Sequence, residues 1–304
     1  MSEKPKIMIL KYKEAKRVGI IDHAGCFASE TINRLKSMGL EASQMVVFFD
    51  RPEEFAPLRE TDTLARQLKP DASSTMVGGF SDIDKLIITL PLIEKTDYRK
   101  RMFEIMSAAR LAAIGHVVIL APSPGFGNFT HPFCNISDHV EDVDFGLPYT
   151  LLLNGIDRES IFNLAFLRTL SIGGISSATL GRKFNFASRS DIALAIAKVV
   201  MGKHHKNKIY HLTCSYLHSF EDMAQIASRL THTKVRNFNV DGNTLKKIMV
   251  ESGTPLQQAD IMVEVLHRKI AEGLFEYTTE NLDNILSARE ENFESFAKKF
   301  LVLG

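Results

Sequence analysis

Short apolar runs at 18–21, 44–49, 85–90, 116–121 and 148–153 recur along the first half of the chain, and they constrain the fold more than any other feature. Runs of this length without a polar face are what strands covered on both sides require. Between them the pattern turns helical. Thr31, Leu35 and Met38 fall on one helical stripe that Gly39 ends in C-cap position, and 98–113 reads as a long helix. Strands alternating with helices over short links imply a parallel sheet with right-handed crossovers and helices on both faces. The predicted class is therefore α/β, a doubly wound parallel Rossmann sheet with a smaller, mostly helical C-terminal lobe. Residues 53–82 supply no firm strand; the charged segment 59–66 reads as helical, and 71–79 is rich in Ser and Gly. A further helix is expected at 138–145. Beyond 155 helices dominate, at 191–201, 219–230, 243–252, 256–272 and 291–300, with one clear strand at 208–213. This division places a dinucleotide-binding-like domain at 1–153 with 186–214, and a substrate or partner lobe at 154–185 with 215–304.

Composition excludes more than it identifies. A net charge of +1 among 304 residues offers no clustered basic surface for nucleic acid, so direct nucleic-acid binding is not expected. The basic run 203–208 is flanked by Gly202 and Asn207 and reads as a solvated loop. No stretch reaches the apolar length of a membrane helix, and the polar start is not a secretory leader, so the expected location is cytoplasmic. Cys26, Cys134 and Cys214 are scattered and contain no CxxC, which fits a reducing compartment and neither a disulfide framework nor a zinc site. His131, Cys134 and His139 lack a second ligand cluster, so no metal is expected. His139, Glu141 and Asp142 read as a solvated helix face, while Phe126, Phe129 and Phe133 are read as lining a substrate cleft, a core or an interface. Oligomeric state is not readable.

The segment Ile21-Asp22-His23-Ala24-Gly25-Cys26-Phe27-Ala28 joins the first strand to its helix. In a dinucleotide turn, glycines let the backbone approach the diphosphate, whose charge rests on the N-terminus of the following helix. Atypical short-chain dehydrogenases write this turn TGxxGxxG, and only its middle glycine survives here, as Gly25. Asp22 replaces the first. Its carboxylate either sits beside the diphosphate and lowers nucleotide affinity, or caps the helix with no ligand involved. Cys26, in the turn, is a candidate redox-sensing thiol, because a helix N-terminus lowers a thiol pKa. After the second strand, Asp50 would accept ribose hydroxyls of NAD, whereas Arg51 would reach the 2′-phosphate of NADP; the pair also fits a plain surface turn.

The order of features resembles the NmrA-like atypical short-chain dehydrogenases. Gly146-Leu147-Pro148-Tyr149-Thr150-Leu151-Leu152 is similar to their "sGLpyTiLRpg" segment. The stretch 191–197 through 208–213 resembles their "DIA" helix and following strand, and 219–224 and 293–297 resemble helices of their C-terminal lobe. The resemblance implies NAD or NADP, bound weakly or no longer bound, against Asp22, Gly25, Cys26, Phe27, Asp50, Arg51, Leu90, Pro91, Ser137 and Asn154. It also implies lost chemistry. The positions of the family's Tyr and Lys fall on Phe133 and Ser137, and Leu153-Asn154 replaces its Arg-Pro pair before Gly155. Neither a phenyl ring nor a serine hydroxyl replaces the lost acid. No catalytic residue is expected, and the implied function is a dinucleotide sensor or regulator that binds a protein partner through its cleft and C-terminal lobe. The alternative is an NAD(P)H-dependent quinone or carbonyl reductase.

Overall fold

The computed structural model describes residues 17–68, 73–90, 98–123, 146–161, 174–287 and 294–298. Strand β1 (Arg17–Asp22) lies inside a seven-stranded sheet, with two neighbouring strands. After it come helix α1 (Ala28–Ser37), β2 (Met45–Phe49), the short α2 (Pro52–Phe55), β3 (Leu64–Gln67), α3 (Ser73–Gly79) and β4 (Ile83–Thr89). Helix α4 (Tyr98–Leu111), β5 (His116–Pro122) and β6 (Tyr149–Asn154) complete the first half. The sheet order is β10-β6-β5-β4-β1-β2-β3, and all six strand pairs are parallel. Reversal of strand order beside β1 is the doubly wound arrangement, and ligands of such sheets bind outside the carboxyl ends of the strands at that switch point.

Side-chain alternation explains why both faces are covered. Val18 and Ile20 of β1 face a layer built on α1, where Ala28, Ile32 and Leu35 are buried at helical spacing. Ile21 points the other way, with Phe48, Leu86 and Ile88, into a second layer that includes Met76 and Phe80 near α3 and Met102, Ile105 and Met106 of α4. Gly39, at φ +91°, closes α1 with the left-handed cap that glycine accepts, and Leu40 N donates to Leu35 O at 3.0 Å.

In the second half, β7 (Ile156–Asp157) and α5 (Arg158–Ile161) lead to β8 (Gly174–Ser177), β9 (Phe186–Ala187) and α6 (Arg189–Met201). Strand β10 (Lys208–Leu212) then joins the main sheet beside β6. Helix α7 (Phe220–Thr231), β11 (Arg236–Asn239), α8 (Gly242–Glu251), α9 (Leu256–Ile261) and α10 (Asn281–Leu286) follow. Helix α9 runs on through a π-helical segment (Met262–His267) into a last turn (Arg268–Ala271). The C-terminal region is mostly helical, with its own apolar clusters around Phe184, Phe220, Val265, Ile270 and Phe275 and around Leu245 and Met249.

Two sequence expectations are corrected. Residues 59–66 do not form one helix: a 3₁₀ turn (Ala56–Thr61) ends at Asp62, in the left-handed region, and β3 follows. Strand β3 hides because it is an edge strand with Leu64, Ala65 and Gln67 exposed, so no apolar run announces it. The strand at 208–213 is also not alone beyond 155, since β7 pairs with β9 and β8 with β11, each too short to leave a pattern. The helix expected at 138–145 lies outside the described residues. No helix among the described residues is long and apolar enough to cross a membrane.

Candidate functional site

The turn after β1 is built around one carboxylate. Asp22 Oδ1 accepts from Gly25 N at 3.0 Å, and Oδ2 accepts from Phe27 N at 3.0 Å and Ala28 N at 2.7 Å. Thr89 Oγ1, at the buried end of β4, donates to Oδ1 as well. The first amides of a helix have no partner within it, and a negative charge there also meets the positive end of the helix dipole. These bonds show Asp22 capping the β1–α1 turn. Gly25 has φ +71°, and a Cβ there would meet nothing within 4 Å; glycine serves the backbone conformation at an open turn.

Phe27 is buried at the start of α1, whereas Cys26 is exposed. Desolvation by the protein packed around its sulfur pushes the Cys26 thiol up to about 12, and nearby Arg189 only partly offsets this. Cys26 is thus a neutral thiol at neutral pH, without the thiolate character that a sensing role demands.

Beyond β2, Asp50 Oδ1 pairs with Arg101 Nη2 of α4 at 2.5 Å. Arg51 turns away, with Nε on Glu54 Oε1 at 2.9 Å and 69% of its side chain exposed. His23 lies close by, and its pKa is lowered by burial against the opposing pull of the Asp50 charge. Arg101 thereby enters the site from a helix far along the chain, where no local pattern marks it.

A cavity of about 300 Å³ opens at the carboxyl ends of β1, β4, β5 and β6. Ala24, Cys26 and Phe27 form its turn side, Leu90, Leu120, Ala121 and Pro122 its floor, and Asn154 and Gly155 its flank. Ile261, Met262, Val265 and Leu266 supply an apolar wall from the helical region. Opposite the turn, Arg189 at the start of α6 sets Nε on Asp157 Oδ1 at 2.8 Å and Nη2 on Ser160 Oγ at 3.3 Å. Burial works against the Arg189 charge, but Asp157, Cys26 and Glu159 together outweigh it and raise the pKa. Asn154 Oδ1 is buried and has no hydrogen-bond partner among the described residues. Arg189, Asp157 and Ser160 are site residues that the sequence pattern missed, because only the fold carries them to the turn.

The structure therefore brings Cys26, Phe27, Leu90 and Asn154 to one cavity, with Asp22 and Gly25 in the turn beside it. It places Asp50 with Arg101 and leaves Arg51 in solvent. Pro91 and Ser137 lie outside the described residues, as do Phe126, Phe129, His131, Phe133, Cys134, His139, Glu141 and Asp142. Among the described residues no group of three or more His, Cys, Asp or Glu is arranged to hold a metal ion.

No protein-family model matches the chain. Quinone oxidoreductase 2 of Escherichia coli (strain K12) is 23% identical over 227 residues, covering 73% of this chain and 78% of that protein. Among solved structures, the triphenylmethane reductase of Citrobacter sp. superposes with a TM-score of 0.81 at 20% identity, over 94% of this chain and 99% of that one. The NADPH-dependent quinone oxidoreductase of Escherichia coli, complexed with NADPH, gives 0.79 at 18% identity, over 93% and 99%. These likenesses establish the Rossmann-type fold over nearly the whole chain.

A dinucleotide laid across such a sheet would rest its diphosphate on the N-terminus of α1. That seat holds the Asp22 carboxylate, so the diphosphate does not fit the turn as it stands. The cavity beyond the turn is large and apolar enough for a flat ring beside Asn154.

Proposed function

We propose that the chain is an NAD(P)H-dependent reductase that receives a flat, apolar acceptor such as a quinone in the cavity between the strand ends and the α9 wall. The observation that carries this reading is the cavity itself, which abuts the β1–α1 turn and is lined mainly by apolar side chains with a few placed polar groups. The relatives support it, since the curated one is a quinone oxidoreductase and the solved ones reduce quinones or triphenylmethane dyes. They lend no support to a purely regulatory role, so the reductase alternative is preferred here.

Bound NAD(P)H would supply a hydride; the protein supplies binding, orientation and a dry site. Phe27, Leu90 and Met262 exclude water from the acceptor. Asn154 Oδ1, short of a partner, accepts from a ligand N–H or O–H that reaches the flank. Arg189, held in place by Asp157 and Ser160, presents positive charge to an acceptor oxygen that gains electron density. No His, Lys or Tyr lies among the described lining residues, so the acceptors expected are those, like quinones, that give a stable anion before taking a proton.

Steady-state assays of the purified protein with NADPH and a series of quinones test this. NADPH oxidation should depend on the quinone. Gln258→Trp, an exposed position on the cavity rim, should raise the KM for quinone more than that for NADPH. Absence of quinone-dependent oxidation across the series would refute the assignment.

A further inference from the structure

We propose that Asp22 is an intramolecular competitor for the dinucleotide's diphosphate, so that the cofactor binds only when this carboxylate leaves the end of α1. The inference rests on the reductase reading and says how that site is restrained. Four donors converge on the one side chain: the amides of Gly25, Phe27 and Ala28, and the Thr89 hydroxyl. Those amides are the groups that this turn offers a phosphate, and each N–H makes one strong bond at a time. A diphosphate placed on them meets either spent donors or a like charge within a few ångströms, and both oppose binding.

The turn is built to hold the carboxylate and still to release it. Thr89 is 1% exposed and fixes Oδ1 from the protein side. On the solvent side, Gly25 and Cys26 are exposed, and the space beyond Gly25 is open, so the side chain has somewhere to go. Asp22 is thus a determinant of cofactor affinity that acts by occupying the seat.

Sign separates this role from a structural one. Removing a residue that merely shapes a binding turn loosens the ligand, whereas removing a competitor tightens it. Calorimetric titration of NADPH into wild type, Asp22→Gly and Asp22→Ser is the test. The Ser variant keeps a neutral acceptor for the α1 amides and guards against misfolding of the Gly variant. The expected result is a Kd at least about tenfold lower in both variants, equivalent to about 1.4 kcal/mol. Binding that is unchanged or weaker in the folded variants would overturn the inference, and would leave the reductase reading intact where wild type binds. No NADPH binding by wild type or either variant would overturn both.

Discussion

Replacing Asp22 by Ala removes the carboxylate without imposing a new backbone conformation, because residue 22 is not in the left-handed region. The structure sets the size of the effect on stability. Loss of a side-chain acceptor at a helix start costs about 0.5–2 kcal/mol, and here a carboxylate from the preceding turn serves three amides, those of Gly25, Phe27 and Ala28. Water reaches an open turn and restores part of that loss. Thr89 is different: its hydroxyl is buried and would lose its acceptor, a loss worth about 1–3 kcal/mol. Together these give about 2–3 kcal/mol, or a melting temperature lower by roughly 3–5 °C for a chain of this size. Differential scanning calorimetry, backed by reversible urea unfolding, measures it. Thr89→Val in the Asp22→Ala background should recover part of the loss, because the stranded hydroxyl goes with it. A change within about 0.5 kcal/mol for Asp22→Ala would place it among ordinary surface substitutions and refute the claim that the carboxylate anchors the turn.

Two further predictions concern pH. Hydrogen bonds from Arg66 first, then from Arg17, hold Asp82 down to about 2. Its folded pKa lies below the unfolded value, so the stabilisation is present above pH 4 and lost as pH falls towards 2. Asp82→Asn should therefore destabilise at neutral pH, with the deficit shrinking over that window in urea titrations; a constant deficit would contradict the ion pair's role. His267 is buried against the Phe220 ring, and burial lowers its pKa to about 4. Between about 6.5 and 4 the unfolded chain holds more protons, so wild type loses stability on acidification at up to about 1.4 kcal/mol per pH unit from this residue. His267→Gln should flatten that slope; an unchanged slope would show that the histidine is not carrying it.

The central strands were legible because burial on both faces leaves an unbroken apolar run, as in 18–21 and 116–121. Strand β3 was not, since its exposed edge residues carry no such run and Arg66 is committed to Asp82. Within the site, the β1–α1 turn could be read because its chemistry is local: Asp22 and the amides it caps lie within six residues of one another. The choice between Asp50 and Arg51 turned on Arg101, which reaches Asp50 from α4, and on Glu54, which three residues on turns Arg51 aside. Arg189, Asp157 and Ser160 had no signal at all, because their meeting with the turn depends on how the chain folds back beyond β6. The lowered thiol pKa expected at Cys26 is not found, because desolvation of the sulfur raises it and the Arg189 charge only partly offsets this.

The reductase assignment is tested most directly by mixing wild-type protein anaerobically with a limiting, known amount of NADPH and excess quinone, and counting products. One quinol formed for each NADPH consumed, at a rate proportional to protein concentration, is the predicted result. NADPH that persists at its starting concentration, while the protein remains folded, would contradict it.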